Sequence, residues 1–247
     1  MRRFLSWANR ADPSYSEMFE AYTKADGIVM LIFWALQTLI MTLSLYVIIF
    51  HFQSLFLVII VPLILTAIAI VFVKARKQSL ATVGVTTKNF FISLLVALGL
   101  GIPLFAINGR WQLFIEILGL DGGLYALLIR FLYHMIVISL GEELIYRGYL
   151  QTRMKAVVKN SFLSVFIVGV MFGIAHLPII LLRGGELSSF FMRGLWFYVL
   201  FHWILNHLYK RYNSLVAPII LHTLYNIHVE LEIIRFRIIF DLGIFNI

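Results

Sequence analysis

The chain of 247 residues contains no cysteine. Disulfides, thiol nucleophiles and thiolate-bound zinc are therefore excluded, and the redox compartment cannot be read. Charge is scarce as well: Asp, Glu, Lys and Arg make up 13% of residues, about half the roughly 25% of an ordinary soluble domain. Only four aspartates occur, Asp12, Asp26, Asp121 and Asp241. What is plentiful is hydrocarbon. Hydrophobic residues reach 62% and mean hydropathy +0.95, where soluble domains hold roughly 45–50% apolar residues. This is the composition of an integral membrane protein. The net charge of +8 does not point to nucleic acid as a partner, because Lys and Arg cluster between apolar runs instead of lining one helix face.

A spanning helix needs about 20 mostly apolar residues. Seven runs qualify by eye: Gly27 to Phe50, Ser54 to Val73, Asn89 to Ile107, Gly123 to about Tyr149, Ser161 to Leu182, Phe190 to Tyr209, and Leu215 to about Leu231. The tail from Glu232 to Ile247, broken by Arg235, Arg237 and Asp241, is expected as an eighth segment, a re-entrant piece or an interfacial helix. The predicted fold class is therefore all-α, a polytopic membrane bundle of seven or eight transmembrane helices. No repeat or linker divides it, so residues 1–247 read as one membrane-embedded domain. Residues 1–26 hold no apolar run long enough for a signal peptide; they read as a cytoplasmic or interfacial segment, with Ser14 and Glu17 as a possible capping box and Tyr15, Met18, Phe19 and Tyr22 at helical spacing. Basic residues collect before the first run and in the second, fourth and sixth loops, which by the positive-inside rule predicts a cytoplasmic N-terminus. The Gly84 to Thr87 stretch, held between basic residues, reads as a loop that re-enters the membrane surface.

Against this apolar background a few polar groups stand out. A charge at the centre of a membrane helix costs about 2.5–3.5 kcal/mol on insertion scales, so ionisable groups there are candidates for function. Glu142 and Glu143 sit near the expected end of the fourth run. Arg147 follows Glu143 at i+4 in the favourable order of acid before base. That pairing neutralises one carboxylate and leaves Glu142, about 100° round the helix, free to act as a general base. The competing reading is a salt-bridged helix end at the interface. In the fifth run Phe172 and His176 share a face, and Gly169 and Gly173 allow a neighbouring helix to come close. In the seventh, His222 and Asn226 form an i, i+4 donor pair that could hold an oxyanion or simply glue helices together. Arg130, His134, His202, His207 and His228 have no motif partner and read as helix contacts or interfacial groups. One difficulty is depth. His176 lies 15 residues into its run, roughly 22 Å at 1.5 Å per residue, deeper than an inner-end Glu142.

Taken in order, Glu142-Glu143-x-x-x-Arg147, Phe172-x-x-x-His176 and His222-x-x-x-Asn226 resemble the signature of the CAAX prenyl protease and bacteriocin-processing family, also called CPBP or Abi intramembrane proteases. The resemblance covers about residues 80–229, the expected catalytic core. It implies a helical membrane fold with a polar cavity opening toward the cytoplasmic side. It also implies that Glu142 and His176 activate water, that His222 and Asn226 stabilise the oxyanion, and that Glu143 and Arg147 shape the site beside Phe172. The expected activity is intramembrane hydrolysis of a peptide bond in a membrane-associated or CAAX-like substrate, in a prokaryotic cell membrane. The alternatives are a non-proteolytic scaffold or bacteriocin self-immunity protein of the same fold, and an ion-coupled transporter, for which no internal repeat speaks. No Gly-x-Ser-Gly and no aspartyl dyad is available, so the nucleophile must be water. No cofactor is expected; a Glu and two His could hold zinc, but the His-Glu-x-x-His pattern is missing and a metal-free glutamate mechanism is favoured.

Overall fold

A computed structural model describes residues 11–17, 22–52 and 54–240, and among them every regular element is helical. The principal helices follow in order: α1 (Pro13–Glu17), α2 (Lys24–Val47), α3 (Leu55–Ala75), α4 (Phe90–Gly101), α5 (Arg110–Gly119), α6 (Gly123–Val157), α7 (Ser161–Leu182), α8 (Leu195–Tyr212) and α9 (Val216–Ile239). Among the described residues five stretches are long and apolar enough to cross a membrane: Lys24–His51, Phe56–Ala75, Phe90–Gly119, Gly123–Val157 and Ser161–Leu182. The expected sixth and seventh runs form α8 and α9, helices whose apolarity is diluted by His202, Asn206, His222, Asn226 and Glu230. Their outer apolar side chains, such as Leu200, Trp203 and Ile233, remain exposed, as do those of α2 and α3. An apolar exterior over a partly polar interior is the pattern a bilayer imposes.

Several boundaries differ from expectation, each for a local reason. Helix α2 begins at Lys24 because Thr23 and Asp26 form a reciprocal capping box, and Asp26 also pairs with Arg76 Nε at 2.9 Å. The box expected on Ser14 and Glu17 is displaced: α1 starts at Pro13, and Asp12 accepts from the Ser14 backbone N–H. Met18 and Phe19 lie outside the described residues. Helix α6 does not stop near Tyr149. It runs on to Val157, so Arg153 lies in no loop; its guanidinium is buried between Tyr22 and Tyr149, 4.5 and 4.2 Å from the ring centroids. The segment from Glu232 to Ile239 is no separate piece but the last turns of α9, held to α5 by Arg110–Glu232 and Arg235–Glu116 pairs at 3.0 Å. Residues 241–247 of the expected eighth segment lie outside the described residues.

These boundaries remove the depth difficulty. Glu142 stands 15 residues before the end of α6 at Val157, and His176 stands 15 residues after the start of α7 at Ser161. In an antiparallel hairpin the two are therefore level. His222 is only six residues into α9, but α9 starts higher. The Leu215 N–H donates to the Gly84 carbonyl at 3.0 Å, and the turn ending at Gly84, with φ +79°, lies against Gly148. Gly148 is six residues below Glu142, so counting up from that shared level brings His222 to Glu142. The stretch around Gly84 thus enters the bundle as the floor of α9. At Gly169 a Cβ would stand 3.2 Å from the Val199 Cα, so α8 does pack close to α7 there.

Candidate active site

Helix α6 is irregular where it matters. The single α-helical turn Leu140–Glu143 lies between two π-helical stretches, His134–Ser139 and Leu144–Leu150. Such insertions shift the faces that side chains present and recur at functional sites. Gly141 lets α3 approach here: a Cβ on it would meet Thr66 Oγ1 at 2.5 Å.

The three motifs converge. Glu142 Oε2 lies 3.8 Å from His176 Nε2 and 3.9 Å from His222 Nε2, too long for direct hydrogen bonds and close enough to share one small molecule. The Glu142 side chain keeps 28% of its surface exposed, whereas Glu143 and Arg147 keep none. Glu143 Oε1 accepts from Arg147 Nη1 at 2.9 Å and from His222 Nδ1 at 2.7 Å. The second contact was not legible in the sequence, because it joins residues 79 apart. His176 Nδ1 donates to the Phe172 carbonyl at 2.8 Å. Both imidazoles therefore carry their Nδ1 proton on an acceptor and turn Nε2 toward Glu142, an arrangement that fixes ring orientation and tautomer.

The rings are held by packing. His176 lies between Phe172, 4.6 Å away edge-on, and Tyr198, stacked at 4.4 Å. Phe201 meets His222 edge-on at 5.2 Å. Phe172 also carries the Arg147 guanidinium over its ring at 4.4 Å, so the spacing Phe172-x-x-x-His176 serves both a histidine and the buried ion pair.

Asn226 does not touch Glu142 in any hydrogen bond. It lines, with His176, a cavity of about 790 Å³. One wall of that cavity is apolar, formed by Leu45, Ile48, Val58 and Val61 among others; the other carries Arg130, His134, Arg183, Glu230 and Arg237. Glu230 Oε2 accepts from Arg130 Nη2 at 2.6 Å and bonds His134 Nε2 at 2.8 Å. Glu230 was invisible as a partner in the sequence, since nothing in local spacing ties it to Arg130 and His134. His202 is a helix contact, as expected, bonding Gln151 Oε1 at 3.1 Å.

The cavity reaches the C-terminal ends of α2, α7 and α9 and the start of α3, the end of the bundle opposite Lys24, Arg76 and Arg153. A cytoplasmic N-terminus and a cavity opening to the cytoplasm therefore cannot both hold. As for a metal, no group of three or more His, Cys, Asp or Glu among the described residues is disposed to hold one. Glu142, His176 and His222 face each other without converging on a single ion, so no step is derived through a metal.

The fold and site define a class: a polytopic helical membrane protein with a carboxylate facing two oriented imidazoles inside the bundle. Residues 124–228 match the family model of the Rce1-like type II CAAX prenyl endopeptidases, a match to a protease family that agrees with CPBP membership. It spans the part of the chain that carries all three motifs. No curated protein and no solved structure matches the chain.

Proposed function

We propose that this protein is an intramembrane endopeptidase in which Glu142 activates water against a peptide carbonyl. The observation that carries this reading is the meeting of Glu142 Oε2 with two imidazole Nε2 atoms, at 3.8 and 3.9 Å, from three separate helices. With its Nδ1 proton on the Phe172 carbonyl, neutral His176 offers a lone pair at Nε2 that accepts from a water, while Glu142 takes the water's other proton. The oxygen then adds to the carbonyl carbon. His222, protonated on both ring nitrogens, donates to the developing oxyanion from Nε2 while its Nδ1 proton is held by the Glu143 carboxylate. Asn226 supplies the second donor. Glu142 returns the proton to the departing amine, giving one acid and one amine per water consumed. Arg147 and Phe172 hold Glu143 and His176 in place. No cofactor enters the scheme.

The substrate is a membrane-associated peptide or protein segment, CAAX-like in being short and apolar, and it enters the cavity between the apolar wall of α2 and α3 and the polar wall of α6, α7 and α9. The chain crosses the membrane seven times, with α8 and α9 as polar-lined spans and the N-terminus in the cytoplasm of a prokaryotic cell. On that orientation the cavity faces outward. The test is a mass-spectrometric comparison of membrane peptides from cells with native protein and with Glu142→Gln. Cleavage products present with the native protein and lost in the variant are expected; turnover retained by Glu142→Gln overturns the assignment. A purified protein as active after exhaustive chelation as before is expected, and activity abolished by chelation and restored by zinc overturns the metal-free scheme.

A further inference from the structure

Below the site, on the side away from the cavity, polar groups continue beyond the Glu143–Arg147 pair, and Gln151, His202, Asn206 and Tyr209 have no role in the scheme above. On α6 Glu143, Arg147 and Gln151 follow at i, i+4 and i+8; on α8 His202, Asn206 and Tyr209 follow at i, i+4 and i+7. The two rows are joined by the His202–Gln151 bond at 3.1 Å. All six side chains are buried, and Glu143, Arg147, Gln151, His202 and Tyr209 have no exposed surface at all. Yet five of them keep a buried polar atom without a hydrogen-bond partner: Glu143 Oε2, Arg147 Nε and Nη2, His202 Nδ1, Asn206 Oδ1 and Tyr209 Oη. Native interiors rarely leave such atoms unmatched, and where protein groups do not match them ordered water does. Scattered singly, these atoms would be local oddities. Here they form a double row that begins at Glu143 beside Glu142 and descends past His202 to Tyr209, three residues before the end of α8.

We infer that this row is a hydrated path that delivers water to Glu142 from the face of the bundle where α8 ends. The inference rests on the hydrolase reading for its purpose. Each turnover consumes a water, and a peptide seated in the cavity that His176 and Asn226 line occupies the approach from that side, so a supply from below lets substrate and water arrive by separate routes. The chemistry of the lining suits water, since donors (Arg147, Tyr209) and acceptors (Glu143, Asn206) alternate with a histidine able to do both.

The test uses the full chain in nanodiscs and has two readouts. In radiolytic hydroxyl labelling, side chains next to bound water are modified even when they are buried. Tyr209 and Phe172, whose ring centroid is 6.4 Å from that of His202, should be labelled well above buried Phe33, which packs edge-on against Phe72 and Tyr149. Labelling of both at the level of Phe33 overturns the proposal. For the second readout, His202→Phe and Asn206→Leu should lower kcat about tenfold with KM unchanged, while His202→Gln keeps kcat near native. A folded His202→Phe or Asn206→Leu protein with native kcat overturns the delivery role; if one variant fails to fold, the other decides. Tyr209 and Phe172 labelled in a protein that cleaves nothing would sustain the path and sink the hydrolase reading instead.

Discussion

At the scale of single residues, two neighbouring glutamates have been separated by their partners. Glu143 is fully buried and shared between Arg147 and His222; Glu142 remains part-exposed, facing imidazoles it does not bond directly. In the proposed mechanism the pair splits into a structural carboxylate and a reactive one. Removing one partner of a buried ion pair leaves an uncompensated charge, so Arg147→Met is expected to destabilise the fold by about 3–5 kcal/mol, measurable as a large drop in unfolding temperature in detergent. Glu142→Gln should unfold where the native protein does, within about 0.5 kcal/mol. Equal thermal losses in the two variants would refute the division of roles. Asn226→Ala should lower kcat by about 10²–10³-fold, the usual loss for one oxyanion donor; unchanged kcat in a steady-state peptide assay would remove Asn226 from that role.

At the scale of elements, the site depends on where helices begin. A Cβ at Gly148 would stand 2.5 Å from the Val83 carbonyl oxygen, and relief requires the turn at Leu80–Val83 to move away. That turn is the floor on which α9 starts, so Gly148→Ala should cost about 1–3 kcal/mol of stability and also reduce activity by displacing His222, although Gly148 touches neither imidazole. Native activity in that variant would show that the floor does not set the register. A second element-level device lies at the other end of the chain's course. Asp12 accepts from Lys88 Nζ at 2.9 Å and from Ser14, which ties α1 to the start of α4. Burial acts to raise the Asp12 carboxyl, and the hydrogen bonds from Ser14 and Lys88 outweigh it, so the group titrates below the ordinary aspartate value. A depressed carboxylate stabilises the folded form above its unfolded pKa and loses that contribution as pH falls through the folded value. Hydrogen exchange in residues 11–17 should therefore be independent of pH-induced loosening from pH 8 to 5, once corrected for intrinsic rates, and should show loosening only below about pH 4. Loosening between pH 8 and 6 would assign the docking to some other group.

At the scale of the whole molecule, the cavity lined by His176 and Asn226 and the helix ends that carry Lys24 and Arg76 lie at opposite poles. Lys77 and Glu186 are exposed near those two poles. The absence of native cysteine allows Lys77→Cys and Glu186→Cys to be probed singly with a membrane-impermeant maleimide. Glu186→Cys should react in intact cells and Lys77→Cys only after permeabilisation. The reverse pattern would turn the cavity toward the cytoplasm.

The all-helical class, the membrane setting, the first five spans and the three polar motifs were legible in the sequence, because each is written in local composition or in i, i+4 spacing, and bilayer energetics act on those directly. The sequence could not say that α6 runs on past Tyr149 to Val157, that α9 begins on the turn before Gly84, or that Glu143 binds His222. Those depend on how one helix sits against another: apolar residues continue a helix as readily as they end one, and no spacing along a chain encodes the height at which a different helix starts. The tertiary structure alone decided them, by matching small residues such as Gly148 and Gly141 to the elements that press against them, and in doing so it brought three imidazole and carboxylate groups to one level.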